Sequence, residues 1–200
     1  NFSLLITALG ILIPTVFITY MYRSPKTNAD EKSRLLAYIP LFLCAVMFWA
    51  IAEQSATSLA TFIDTRTNLT LLGFDIPAAW FQSFNPLFII VIAPMFAFLW
   101  TKLGDRGPST PKKFALSLFF SGTYFLIIIA AIVLTPEGTL VNPLWVIFSI
   151  FLVVLGELLL SPVGLSATTK LAPAAFAGQT MALWFLAAAA AQAINAQLVR

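Results

Sequence analysis

Residues 142–169 read NPLWVIFSIFLVVLGELLLSPVGLSATT, and this stretch decides the fold class. Its one ionisable side chain is Glu157. A helix needs about 20 mainly apolar residues to cross the hydrocarbon core of a bilayer, and this stretch is longer than that. It therefore predicts a membrane-spanning helix with a single carboxylate at membrane depth.

The composition of the whole chain also indicates a membrane protein. Of its 200 residues, 60% are hydrophobic and 10% are charged, whereas about 25% are charged in a typical soluble domain. The net charge of +3 is small and scattered, which argues against a nucleic-acid partner. Cys44 is the only cysteine and the chain has no histidine. We therefore expect no disulfide within the chain and no metal centre.

Six apolar stretches are long enough to span a membrane. They cover residues 2–22, 35–63, 77–101, 113–134, 142–169 and 176–199. No alternating strand pattern or internal repeat competes with this interpretation, so we expect an all-α membrane protein with six transmembrane helices. The chain starts at Asn1 without a basic segment before its first apolar stretch, which argues against a signal peptide. We expect it to be part of a longer protein.

Basic residues concentrate in alternate loops. The loops at 22–34 and 102–113 carry four basic residues each, while the loops at 64–76 and 135–141 carry one between them. Lysine and arginine are enriched in the cytoplasmic loops of membrane proteins. The loops at 22–34 and 102–113, and the one near Lys170, are therefore predicted to face the cytoplasm.

Only two ionisable side chains, Glu53 and Glu157, lie at the predicted membrane depth. A carboxylate there costs at least a few kcal/mol, which makes it a functional candidate by default. The structural alternative is a protonated glutamate that hydrogen-bonds to a neighbouring helix. The residues alone leave both interpretations open.

Glu53 lies in the segment FWAIAEQSATSLATF, residues 48–62. Trp49 and Glu53 are four positions apart and share a helix face, and hydroxyl side chains follow between 55 and 58. A helix that contacts only lipid has no use for these polar groups. We therefore expect one side of this helix to face water or a substrate, with packing alone as the alternative for Trp49.

The third stretch contains FQSFNPLFIIVIAP, residues 81–94. Pro86 and Pro94 remove backbone donors and predict kinks. Near the first kink, Asn85 can both donate and accept hydrogen bonds, which suits the amino or peptide group of a ligand. A hydrogen bond to a neighbouring helix is its structural alternative.

The strongest local signal surrounds Glu157. Glu157 and Ser161 are four positions apart on one helix face, and Pro162 lacks an amide donor and so frees the carbonyl of Leu158. Broken helices recur at transporter binding sites. We therefore predict a weakened backbone here, beside a site for a cation or an ammonium group.

Two other helices differ in their polar content. The stretch at 176–199 adds Trp184 and Phe185 as aromatic area, and its alanine run permits close helix packing. The stretch at 113–134 has only hydroxyls as polar groups. We expect that helix at the lipid-facing periphery.

Four of these segments occur in the order found in one transporter family. FWAIAEQ, FQSFNPLFI, GELLLSPVGLS and TKLAP followed by LWFL resemble the C-terminal half of proton-dependent oligopeptide transporters, over about residues 33–200. The loop LGDRG at 103–107 also resembles a cytoplasmic loop motif of major facilitator transporters.

The resemblance implies a fold and a domain organisation. The family has the major facilitator fold, with two six-helix halves around a central cavity. Residues 1–22 would be an extra transmembrane helix joining the halves, 23–34 a cytoplasmic linker, and 35–200 five of the six helices of the C-terminal half. The family's N-terminal half, with its E-x-x-E-R helix, and its final helix do not occur in this chain.

The resemblance also implies a function, the symport of di- and tripeptides into the cell with protons as the coupling ion and without a cofactor. Glu157 would hold the amino terminus of the peptide, assisted by Asn85, and Ser161 would lie near that site. The side-chain pockets would be lined by three aromatic residues, Trp49, Trp184 and Phe185.

For proton coupling, the resemblance implicates Glu53 and Glu157. Glu53 would exchange ion-pair partners with a basic residue of the N-terminal half. The protein would be a multi-pass protein of the cell membrane, with peptides, the lipid bilayer and the N-terminal half as its partners.

Three other functions are weighed against peptide transport. A related major facilitator transporter would carry another small solute, such as nitrate or a drug, but the glutamate at 157 favours a ligand with a free ammonium group. An intramembrane enzyme would need a nucleophile with a base or a metal cluster, and the chain has neither histidine nor paired aspartates, so we do not expect an enzyme. A non-transporting scaffold would not need two membrane-buried carboxylates.

Overall fold

The structure is a computed structural model that describes residues 2–71 and 73–198, which are predominantly helical. The α-helices are α1 (Phe2–Arg23), α2 (Ala29–Ala52), α3 (Ser58–Arg66), α4 (Phe84–Leu103), α5 (Thr110–Leu134), α6 (Pro143–Leu171) and α7 (Ala177–Leu198). Short 3-10 segments lie at Glu53–Ala56, Ala78–Ser83, Gly104–Arg106 and Ala174–Phe176.

Six helical spans in the described part of the chain are long and apolar enough to cross a membrane, which confirms the predicted number. They are Leu5–Arg23, Ala29–Arg66, Ala78–Leu103, Thr110–Leu134, Pro143–Leu171 and Ala174–Gln197. The second span contains both α2 and α3, which explains its length beyond one bilayer crossing. The chain is an α-helical multi-pass membrane protein.

Helix α2 begins at Ala29, inside the segment predicted to be a linker at 23–34. The side-chain oxygen of Asn28 accepts a 2.9 Å hydrogen bond from the amide of Glu31, whose carboxylate accepts one of 2.9 Å from the amide of Asn28. This reciprocal pair is a capping box, which satisfies amides at the start of a helix. The other carboxylate oxygen of Glu31 accepts a 2.8 Å hydrogen bond from the amide of Ala174.

The described residues divide into two compact units. The first comprises those within 1–50, 110–115 and 160–200. In this unit α1 packs against α7, and a Cβ built on Gly10 would lie 3.0 Å from the Cβ of Ala193. The hydroxyl of Thr7 donates a 2.9 Å hydrogen bond to the carbonyl of Ala193 and accepts one of 2.8 Å from the amide of Gln197. Small residues therefore allow the two helices to approach closely.

The second unit comprises residues 51–109 and 116–159. Its apolar core lies between α4 and α6, where Ile92, Val154 and Leu158 are buried. Phe88 and Phe151 meet edge to face there, with ring centroids 5.6 Å apart. This packing orients the start of α4 and the adjoining part of α6, the two elements that carry Asn85 and Glu157.

A small hairpin interrupts the loop at 64–76, where no strand was predicted. Strands β1 (Thr70–Leu71) and β2 (Phe74–Asp75) pair antiparallel, and Gly73 adopts a φ of 85° beside the turn. The amide of Val141 donates a 2.8 Å hydrogen bond to the carbonyl of Arg66. The backbone thus ties together the two loops that carry few basic residues.

Candidate functional site

Glu53 lies where a membrane helix is interrupted. Helix α2 ends at Ala52, a 3-10 turn covers Glu53–Ala56, and Thr57 leaves the helical region with φ −119° and ψ −90° before α3 begins. The side-chain oxygen of Gln54 accepts hydrogen bonds from the hydroxyls of Thr57 at 3.1 Å and Ser58 at 2.9 Å. Such local side-chain bonds compete with regular helix, so the polar run itself sets the interruption.

Asn85 lies just after a second interruption. The 3-10 segment Ala78–Ser83 precedes α4, which starts at Phe84 and therefore holds Asn85 in its first turn. Pro86 lies in that first turn as well, where a missing amide donor has no helical partner to lose. The kink predicted at Pro86 is therefore wrong, because α4 starts at Phe84, two residues before the proline.

Glu157 lies on an uninterrupted helix. Helix α6 runs from Pro143 to Leu171 with Pro162 inside it, so no break in the helix accompanies the proline beside Glu157. Membrane helices tolerate an internal proline when neighbouring groups or local adjustments satisfy the freed carbonyl. Of the three site-bearing segments, those of Glu53 and Asn85 carry the interruptions.

The structure brings Glu53, Asn85 and Glu157 together within the second unit. All three are half-buried. The side chain of Asn85 makes a hydrogen bond with the carboxylate of Glu157, and the carboxylate of Glu53 lies near enough for two negative charges to repel each other. Two acids that interact in this way favour binding of a proton or a cationic group, because either one relieves the repulsion.

The other four predicted site residues belong to the first unit. Trp184 is buried and packs directly over Gly164, where a Cβ would come within 1.9 Å of its ring. Phe185 is 65% exposed. Trp49 is half-buried and meets the ring of Phe48 edge to face, with centroids 5.5 Å apart.

The hydroxyl of Ser161 is buried and has no hydrogen-bond partner among the described residues. A buried hydroxyl without a partner is costly. The hydrogen-bonding capacity of the Ser161 hydroxyl is therefore not used by the described residues.

Sequence reasoning missed a polar face on α5, the helix expected at the lipid-facing periphery. Ser117, Ser121 and Tyr124 are buried on it. Tyr124 lines a cavity of about 20 Å³ together with Asn85 and Gln82, a volume that fits one water molecule. The spacing of the three residues, at positions i, i+4 and i+7, is the signal that predicts one buried helix face.

The chain is similar to known transporters along its whole length. The family model described as "POT family" matches residues 1–200. An uncharacterized transporter of Bacillus subtilis, YclF, is 57% identical over 97% of this chain and 39% of its own length. A di-/tripeptide transporter of Lactococcus lactis is 46% identical over 99% of this chain and 41% of its own length.

A solved structure has the same fold. The crystal structure of a mutant of the peptide transporter POT in complex with alafosfalin matches with a TM-score of 0.95 and 60% identity, covering 100% of this chain and 41% of that one. The chain therefore spans about two fifths of the length of the proteins it matches.

Proposed function

The chain belongs to the POT family, and from that premise we propose that it forms part of a transporter that carries di- and tripeptides into the cell together with protons. The single observation that supports this most directly is the cluster of Glu53, Asn85 and Glu157 next to two helix interruptions. Membrane-depth carboxylates mark substrate paths and proton relays. The chain itself carries out no covalent chemistry in this proposal.

Glu157 binds the peptide's amino terminus. An ammonium group placed between Glu157 and Glu53 would relieve the repulsion of the two carboxylates, and it would form a charge-assisted hydrogen bond, which is roughly twice as strong as a neutral one. Asn85 already contacts Glu157 through its side chain, so it orients that carboxylate. An anionic solute such as nitrate would instead meet two negative charges.

Glu53 couples transport to protons. Glu53 lies in the 3-10 turn that follows α2, so a change in its charge acts on the point where the regular α-helix is interrupted. A basic residue of the N-terminal half would pair with Glu53 when it is ionised, and protonation would release that pair. Protonation would thus change the relative stability of two conformations, which is the thermodynamic requirement for coupling.

The remaining residues take supporting roles. Ser161 lies one helical turn after Glu157 in the sequence, and we place its hydroxyl, which has no partner among the described residues, near the site of the peptide's amino terminus. We assign contacts with peptide side chains to three aromatic residues, Trp49, Trp184 and Phe185. Residues 35–200 would supply five of the six helices of a C-terminal half, and 1–22 an extra helix that joins it to the N-terminal half.

Uptake into proteoliposomes tests the function. The complete transporter should concentrate a labelled dipeptide when an inward proton gradient is imposed. Glu53→Gln should lose this accumulation. It should still exchange labelled for unlabelled peptide, because Glu157, which binds the peptide, is unchanged. A Glu53→Gln variant that still concentrated the dipeptide on a proton gradient alone would show that coupling lies elsewhere, and a wild-type protein that took up no peptide would contradict the function itself.

A further inference from the structure

A groove of about 630 Å³ lies at the end of α1, entirely within the first unit. Val16, Tyr20, Arg23, Pro25 and Lys26 line it, together with two threonines. Those hydroxyls, on Thr15 and Thr19, donate to backbone carbonyls one turn earlier at 2.8 and 2.7 Å. The walls along α1 are therefore apolar, and the polar character is concentrated at one end.

That end carries two cations. Arg23 and Lys26 are exposed, and neither has an ion-pair partner among the residues that the structure describes. Glu31, the acid at the following helix start, has both carboxylate oxygens occupied by backbone amides. The carboxylate of Glu31 is therefore engaged by backbone amides and forms no ion pair with either cation.

The turn that holds these cations is ordered by its own hydrogen bonds. The hydroxyl of Thr27 donates to the carbonyl of Met21 at 2.7 Å, and the amide of Thr27 donates to the carbonyl of Ser24 at 3.2 Å. The hydroxyl of Ser24 accepts a 3.2 Å hydrogen bond from the amide of Lys26. The charged pair is thus presented by a defined turn.

The groove also lies at the end of a membrane span. The span Leu5–Arg23 ends at its first cation, and the exposed rings of Tyr20 and Tyr22 lie in the last turn of that span. Aromatic residues of this kind mark the membrane–water interface, and the basic loop predicts that this interface is the cytoplasmic one.

We propose that this groove binds one anionic phospholipid of the cytoplasmic leaflet. Its phosphate contacts Arg23 and Lys26, and an acyl chain lies along Val16 and Tyr20. Basic pockets on the cytoplasmic side of membrane proteins bind anionic headgroups. A soluble phosphate would satisfy the cations and leave the apolar walls uncovered, so a lipid fits the whole groove better.

The test is native mass spectrometry of the complete transporter in detergent, titrated with phosphatidylglycerol or phosphatidylcholine. The double variant R23Q/K26Q should bind phosphatidylglycerol roughly tenfold to thirtyfold more weakly. Each basic residue near an anionic lipid surface increases the affinity about fivefold, and the variant removes two of them. The matched control K102Q/R106Q removes the same charge from the other basic loop and should bind like the wild type. A third variant, Val16→Glu, should also weaken phosphatidylglycerol binding by placing a carboxylate beside the acyl chain.

Three outcomes would overturn the proposal. Equal weakening in R23Q/K26Q and in K102Q/R106Q would mean general surface charge instead of a site. Full displacement of the lipid by inorganic phosphate would mean an ion site. Equal binding of the two lipids by the wild type would mean that the headgroup charge is not recognised. Dipeptide affinity, measured in parallel, should stay unchanged in R23Q/K26Q and so report an intact fold.

Discussion

The side-chain amide of Gln82 donates a hydrogen bond of 2.9 Å to the backbone carbonyl of Ser55. Ser55 lies in the 3-10 turn that starts at Glu53, and Gln82 lies in the 3-10 segment that precedes Asn85. The side chain of Gln82 therefore joins the two helix interruptions. It holds the turn that carries Glu53 against the segment that leads to Asn85.

Replacing Gln82 with leucine should destabilise this arrangement. The carbonyl of Ser55 would lose its donor. An unpaired carbonyl costs about 1–3 kcal/mol of stability when it is buried. We expect the lower end of that range, because Gln82 is exposed. Thermal unfolding in detergent and dipeptide affinity by calorimetry should both report the loss. Ser83→Ala, a change at a neighbouring exposed residue that makes no capping bond, should leave both unchanged. If Gln82→Leu matched Ser83→Ala, the bond would have no structural role.

The packing of Trp184 over Gly164 makes a second prediction. A Cβ at Gly164 would lie 1.9 Å from the indole ring, so Gly164→Ala must displace that ring, and overpacking of this kind costs about 1–3 kcal/mol. Gly122→Ala is the matched control, because nothing lies within 4 Å of its built Cβ. Unfolding temperature should fall for the first variant and not for the second.

A double variant separates the clash from other effects of alanine at 164. Gly164→Ala combined with Trp184→Leu should unfold at a higher temperature than Gly164→Ala alone, since the smaller side chain leaves space for the new methyl group. If the double variant unfolded at the same temperature as Gly164→Ala alone, the loss of stability would come from the backbone of α6 and not from a clash with the indole ring.

The orientation in the membrane gives a third prediction. Single cysteines at Asn28 and Asn68, both exposed, should react with an impermeant thiol reagent from opposite sides in a protein whose Cys44 is replaced by alanine. The reason is the alternation of basic loops. Reaction of both cysteines from one side would refute the assignment of the 22–34 loop to the cytoplasm.

The polar residues of the cluster could be predicted from the sequence, whereas the positions of the helix interruptions could not. Glu53, Asn85 and Glu157 stood out because polar groups at membrane depth are costly, and the structure brings these three together. The prolines do not mark the interruptions, because α6 continues through Pro162 and α4 begins at Phe84, two residues before Pro86. A proline shows only that one amide donor is missing, and its effect depends on which helical position it occupies.

Two further features of the structure have a signal in the sequence. The N-x-x-E spacing of Asn28 and Glu31 is a helix-start signature that places the beginning of α2 at Ala29. The polar groups of α5 are only hydroxyls, which is why that helix is expected at the lipid-facing periphery, yet Ser117 and Tyr124 lie on one buried face. A hydroxyl can bond to a carbonyl on the preceding turn, as Ser121 does to Leu118 at 3.0 Å, so the number of hydroxyls alone does not tell whether a helix faces lipid or protein.

The most direct test of the central claim, that Glu157 binds the amino terminus of a peptide, is calorimetry on the complete transporter with a dipeptide and its N-acetylated form. The wild type should bind the acetylated form roughly tenfold to a hundredfold more weakly, since a hydrogen bond to a charged group contributes about 1.5–3 kcal/mol. Glu157→Ala should bind both forms equally weakly, whereas Ser161→Ala should keep the preference for the free amine. Equal affinity of the wild type for the two forms would contradict the claim.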